Sequence, residues 1–330
     1  MKLKDTPMKR LLALAVGVWL AATGATAQAD GAYPQRPIRM TVPAEPGGGA
    51  DFIARLLSPS LTASLGQSVV VENKSGASGT IGGGQVSKSE PNGYTLLMAQ
   101  STSIVIAPHM YKQLPYDPLK DLAPVTLVVR VPNVLVVNSQ LPAKTVAEFI
   151  ALAKAKPHAF SYGSSGNGSP SQLGGSMFEK AAGVQMVHVP YRGAGPATTA
   201  LLGNQIQAMF APITAVLPLI KSNKLRALGV TTAGRQAALP NVPTIAESGL
   251  PGYEISSWFG LFAPAHTPPE IITRLNHAVA LALKNPKVVE AIARESSEAV
   301  GDSPEAFAAF LQREDTKYAA IVKGIGPQIN

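Results

Sequence analysis

The chain has 330 residues, with 28 Lys and Arg against 20 Asp and Glu, 5 His and no Cys. It can bury a sizeable core and exceeds the usual length of one compact domain, so two domains are expected. At 46% hydrophobic and 15% charged residues it is too apolar for disorder. The lack of Cys excludes thiol catalysis, iron–sulfur clusters, Cys-type zinc sites and disulfides.

Lys2, Lys4, Lys9 and Arg10 precede an apolar run from Leu11 to Ala22, broken only by Gly17. Ala25-Thr26-Ala27 and Ala27-Gln28-Ala29 follow, so cleavage is expected after Ala27 or Ala29. Residues 1–29 therefore read as a secretory signal peptide. The apolar run is too short to span the ~30 Å of a bilayer core. No later stretch has eighteen apolar residues without Pro or charge, so a soluble mature protein is expected. Removing 1–29 leaves 24 basic (28 − 4) and 19 acidic (20 − 1) side chains, a net +5. Without a Lys/Arg run or interleaved aromatics this gives no case for nucleic acid, and only a weak preference for small anions.

Short strands and helices then alternate, which predicts α/β with mostly parallel sheets. Residues 38–42 read as a strand and Asp51–Leu65 as a helix with 53, 56, 57, 61 and 65 on one face, closed by Gly66. Pro59 predicts a kink in it. Strands at 69–71 and 94–99 flank a short helix over Thr80–Lys88. Thr145-Val146-Ala147-Glu148 is a capping box opening a helix that ends near Lys154 and Lys156. Strands at 160–162, 184–189 and 206–210 lead to helices over 170–182, 196–202 and 214–222, and 225–230 is a further strand. Residues 258–262 form the last strand, and only helices follow, over 269–283, 287–294 and from Ser303 onward. No linker divides the chain, so it is expected to pass between the domains more than once.

Four strand ends run into loops of small polar residues that open helices. They are Pro46-Gly47-Gly48-Gly49-Ala50-Asp51, Ser101-Thr102-Ser103, Ser164-Ser165-Gly166-Asn167-Gly168-Ser169-Pro170-Ser171, and Tyr191-Arg192-Gly193-Ala194-Gly195-Pro196. Free N–H groups and the positive end of the helix dipole suit such ends to anions. In open α/β sheets ligands sit outside those carboxyl ends. Nucleotide signatures fail, since Phe52 takes the last Gly of G-x-G-x-x-G and no G-x-x-x-x-G-K-[ST] exists. No G-x-S-x-G frames a Ser, and the five His show no metal spacing. His188, alternating with Val187 and Val189, reads as a structural side chain. The chain reads as a binder with no catalytic residues, metal or cofactor. Arg192, the one cation in a strand-end loop, can meet a carboxylate bidentately or stand on the surface.

Tyr33-Pro34-x-Arg36-Pro37-Ile38, Val42-Pro43 and the Pro46–Asp51 loop resemble the start of the Bug (TctC-type) family, periplasmic receptors of tripartite tricarboxylate transporters. The resemblance continues through Val71-Glu72-Asn73, Pro91–Leu96, Leu114–Pro118, Val131–Val137, Ser165–Ser171, His188–Gly193, Leu239–Thr244 and Ser257–Gly260. It covers essentially the whole mature chain. It implies a type II periplasmic-binding-protein fold, two α/β domains joined by two crossing segments, with domain 1 at 30–130 plus 255–330 and domain 2 at 131–254.

It also implies a monomer without cofactor whose interdomain cleft holds a small organic acid or amino acid. Gly47, Gly48 and Asp51, then Ser164, Ser165, Asn167 and Ser171, then Tyr191, Arg192 and Gly193 are the ligand residues it carries over; Ser101 and Thr102 join them from the loop reading. The implied partners are the small and large subunits of an inner-membrane permease. A signalling adaptor for a sensor kinase is the alternative, and an enzyme of the same fold a weaker one. Two departures bear on selectivity: Ala211-Pro212 stand where many relatives have Asp, and Ala44-Glu45 precede the first loop where most have small or apolar residues. Glu45 and Ala211 are thus candidate selectivity positions.

Overall fold

The computed structural model describes residues 33–324; the signal-peptide reading of 1–29 lies outside them. From Arg36 onward the chain forms one compact unit. Its strands are β1 (Ile38–Val42), β2 (Val69–Asn73), β3 (Thr95–Gln100), β4 (Leu122–Asn138), β5 (Ser161–Ser164), β6 (Val187–Pro190), β7 (Ala208–Pro212), β8 (Leu225–Val230), β9 (Ser256–Pro264) and β10 (Glu298–Ala299). The helices are α1 (Gly49–Leu65), α2 (Thr80–Ser87), α3 (Ala107–Met110), α4 (Val146–Ala155), α5 (Pro170–Ala182), α6 (Ala194–Leu202), α7 (Ile213–Lys221), α8 (Pro269–Ala282), α9 (Pro286–Arg294) and α10 (Pro304–Lys323).

The strand order is β2-β1-β3-β9-β4-β7-β5-β6, with β8 and β10 also on β4. The 17-residue β4 carries both halves. Residues 122–132 pair with β9, and 133–138 pair with β7 and β8. Pairings among β1, β2 and β3 and among β5, β6 and β7 are parallel, as strand–helix alternation predicts. Those made by β4 and β9 are antiparallel, which corrects the mostly parallel expectation. The sequence predicts no strand over β4, because Pro124 and Pro132 interrupt an otherwise β-branched run. The register shifts between Pro124 and Thr126 and absorbs the first; the second sits where β4 changes partners. β10 likewise corrects the expectation of helices alone after residue 262.

Side-chain alternation along β4 divides the core. Leu135 and Val137 join Phe210, Tyr162, Phe149 and Phe178 in one cluster, whereas Val134 and Val136 join Met209, Ala211, Ala197 and Val216 in another. In α1, Ile53, Leu57, Leu61 and Leu65 are buried as the spacing predicts, and Gly66 closes the helix at φ 74°. The helix continues through Pro59 as one element. At α4 the capping box forms: Thr145 accepts from the Glu148 N–H at 3.1 Å.

Candidate ligand-binding cleft

A cavity of about 500 Å³ opens where strand ends of both halves meet. Gly49 and Phe52 of α1, Ser101 and Thr102 after β3, Ser165, Asn167 and Ser169 before α5, Ala194 at the start of α6, and Pro212 and Thr214 at the start of α7 line it. Four helices of nine residues or more thus begin at its wall. Each presents the positive end of its dipole, although Pro170 and Pro196 carry no N–H and the Gln172 N–H is already capped by Ser169. Ser78, Gln100, Ser257, Ser297 and Glu295 add polar side chains, and Phe52 and Phe259 an aromatic surface. Glu295 is the only charged lining residue. The lining is therefore hydroxyl-rich, with one acidic and no basic side chain.

Gly49 is a glycine because of Phe259. A Cβ there would lie 2.8 Å from the ring's Cζ, so the aromatic wall approaches the start of α1 only against bare backbone.

The first loop is organised by Asp51. Its carboxylate, 4% exposed, accepts from the Gly47 N–H at 2.9 Å, from Arg55 Nε at 2.9 and 3.0 Å, and from Asn73 Nδ2 at 3.0 Å. The Arg55 hydrogen bond foremost, with those from Gly47 and Asn73, lowers its pKa from 3.8 to about 2 against the opposing effect of desolvation. A carboxyl depressed in the folded state stabilises above its unfolded pKa and loses that stabilisation as pH falls through the folded value. The parent protein should therefore lose stability between about pH 4 and pH 2 in an acid titration followed by circular dichroism. Asp51→Asn should flatten that limb, and Asp51→Ala should cost ~1.5–3 kcal/mol at neutral pH, the scale of hydrogen bonds to a charge.

The second loop is organised by its own hydroxyls. Ser171, buried, accepts from the Ser165 N–H at 3.0 Å and bonds the hydroxyls of Ser165 and Ser169 at 3.1 and 3.0 Å. Ser164 is fully buried and its Oγ lies 2.7 Å from His188 Nε2. Sequence reading saw no serine–base pair, because the two residues lie on different strands and meet only by parallel pairing of β5 with β6. Burial lowers the His188 pKa, and Ser164 is covered by the loop it supports, so the pair braces the loop.

Of the residues expected at the site, the structure brings Ser101, Thr102, Ser165 and Asn167 to the wall. Gly47, Gly48, Asp51, Ser164 and Ser171 shape the loops behind it. Gly193 precedes α6 as its N-cap, and the Tyr191 N–H donates to the Ser164 carbonyl at 3.0 Å. Arg192 is exposed, outside the lining set. Glu45 is exposed and accepts from Ser75 Oγ at 2.6 Å; Ala211 is buried in the second core cluster. Sequence reading missed Ser78, Gln100, Thr214, Ser257, Phe259, Glu295 and Ser297, which carry no loop motif of their own. The Ser257–Gly260 stretch was legible as a family motif only.

Residues 53–326 match the family described as the tripartite tricarboxylate transporter family receptor, TctC. The chain is 38% identical to BugT of Bordetella pertussis over 324 residues, covering 98% of this chain and 99% of that one. This chain belongs to the TctC/Bug receptor family. Among solved structures it is similar to Rpa4515 of R. palustris with adipate, at 35% identity and TM-score 0.77, covering 88% of this chain and 98% of the other. It is also similar to MatC of Rhodopseudomonas palustris with bound malate, at 31% identity and TM-score 0.75, covering 88% and 100%. The two-domain α/β fold is shared with the periplasmic binding protein BugD, at 35% identity and TM-score 0.76, covering 90% of this chain and 100% of that one, and the family is one of receptors, not enzymes. Among the described residues no helix of this receptor is long and apolar enough to cross a membrane.

Proposed function

We propose that this receptor, exported by residues 1–29, binds a small carboxylate in the cleft and hands it to the membrane subunits of a tripartite permease. The lobes are 30–130 with 255–330, and 131–254, and they close by rotation at the two crossings, within β4 and just before β9. One observation carries the reading: four helix N-termini and a ring of hydroxyls converge on one cavity that contains no basic side chain. Such a wall holds a carboxylate by N–H and O–H donation without an ion pair. That relatives of this fold are described with adipate and with malate supports the same class. Within this reading Gly47, Gly48 and Asp51 shape the carboxylate loop, Ser101, Thr102, Ser165 and Asn167 touch the solute, and Arg192 is a surface cation.

The test is a thermal-shift panel of mono-, di- and tricarboxylates, amino acids, neutral sugars and polyamines. A carboxylate at a hundredfold over Kd should add ~2.7 kcal/mol of stability. Shifts confined to sugars or polyamines would sink the reading.

Selectivity by charge falls to Glu295 in place of Glu45. Glu295 is an exposed residue at the cleft wall with no ion pair among the described residues, and its charge opposes an incoming anion. Glu295→Gln should tighten carboxylate binding about 2–5-fold at low salt, and the gain should vanish near 1 M salt, where screening acts over ~3 Å. Calorimetry at the two ionic strengths reads both effects.

A further inference from the structure

Asn133 stands where β4 passes from one sheet to the other. Pro132 pairs with Ser256 of β9, and Asn133 with Pro212 of β7. Its backbone carbonyl is fully used, accepting from the Thr231 N–H at 2.9 Å and from Thr231 Oγ1 at 3.0 Å. The side chain is not. Asn133 is 1% exposed, and its Oδ1 is the one buried side-chain oxygen or nitrogen among the described residues that has no hydrogen-bond partner. A buried amide oxygen without a donor is costly, and proteins keep very few.

Its neighbours say what the donor could be. Alternate residues of a strand share a face, so Asn133 stands on the face of Val131, and Pro212 is its direct partner on β7. Val131 and Pro212 both line the cleft. Leu135 and Val137, farther along the same face, belong to the apolar core. Asn133 is thus the residue at which this face turns from cleft wall to core, and an apolar side chain would satisfy the core without leaving an oxygen unpaired. We propose that Asn133 is a specificity-determining residue whose Oδ1 accepts an N–H or O–H from the solute. The solute is then a carboxylate that also bears such a donor, a hydroxy acid or an amino acid. This rests on the carboxylate reading above.

The experiment titrates the parent and Asn133→Leu by calorimetry with two matched pairs, L-malate against succinate and L-glutamate against glutarate. The parent should prefer the donor-bearing member of at least one pair by ~10-fold or more, the scale of one buried hydrogen bond. Asn133→Leu should abolish that preference by weakening the donor-bearing member alone. Its unliganded melting temperature should equal or exceed that of the parent, because the unpaired oxygen is gone. Asn133→Thr keeps an uncharged hydroxyl acceptor on the strand and should keep the preference; it also serves if the leucine variant does not fold. A preference that survives in Asn133→Leu, equal weakening of both members, or no preference in the parent overturns the proposal while leaving the carboxylate reading intact. Failure of every carboxylate to bind the parent overturns both.

Discussion

Gly175→Ala should destabilise the protein by about 3 kcal/mol, the upper end of what overpacking usually costs. A Cβ at Gly175 in α5 would sit 2.0, 2.5 and 2.6 Å from Cε2, Cζ and Cδ2 of Tyr162. The ring cannot step aside. Tyr162 is 1% exposed, meets Phe210 edge-on at 6.1 Å between centroids, lies 5.1 Å from the His188 ring, and bonds Ser176 Oγ through its hydroxyl at 3.2 Å. Close-packed interiors transmit such strain to their neighbours. Tyr162 is two residues before Ser164, so the loop carrying Ser165 and Asn167 should shift as well. The expected result is a melting temperature lower by about 6 °C and a weaker carboxylate response. Gly195→Ala is the control. That site is helical and exposed, and an added Cβ meets nothing within 4 Å. It should be neutral or stabilising by ~0.5–1 kcal/mol, because alanine lowers the entropy of the unfolded chain. Two Gly→Ala changes with the same sign and size would contradict this account of the packing.

Glu314→Ala should cost ~2–3 kcal/mol, through an unpaired buried donor and a small cavity. Glu314 of α10 is 5% exposed, and its Oε2 accepts from Trp258 Nε1 at 3.0 Å, while Lys317 pairs with its other oxygen. Trp258 is completely buried against Phe307 and Phe310. Removing the carboxylate strands the indole N–H in an apolar setting, whereas Lys317 can return to water. Glu314→Gln retains an acceptor and should recover most of the loss. Trp258 is the only tryptophan after residue 29, so its emission reports this contact directly. Ser257 and Phe259, the residues on either side, both line the cleft. Emission that is identical in parent and Glu314→Ala, with unchanged stability, would show that the hydrogen bond does not anchor β9.

What could be read in advance was local. The periodicity of α1, its end at Gly66, the Thr145 capping box and the polar loops after β1, β3, β5 and β6 depend on residues a few positions apart, where covalent geometry and propensity act. The family motifs extended that reading to the fold, because they occur in order along the chain. β4 escaped it. Its two prolines mark a broken strand by every local criterion, and only pairing with β9 on one stretch and with β7 and β8 on the other makes it continuous.

The site divides along the same line. Loop composition was enough to nominate Ser101, Thr102, Ser165 and Asn167, since small hydroxyl and amide residues at strand ends have few other uses there. Whether a nominated residue meets the solute or holds its neighbours was decided by hydrogen bonds across the loop, as with Asp51 to Gly47 and Asn73 and Ser171 to Ser165. Ser78, Ser257, Phe259, Glu295 and Asn133 belong to the cleft or its border for a reason that local sequence does not contain. They come from elements far apart in the chain, and the pairing of β4 with β9 on one stretch and with β7 on the next is what brings them to one place. The amino-acid sequence by itself determined most of the elements, the family motifs and a set of small polar loops at strand ends; the tertiary structure alone decided which buried polar side-chain groups are satisfied and which one among the described residues, Asn133 Oδ1, is left unpaired.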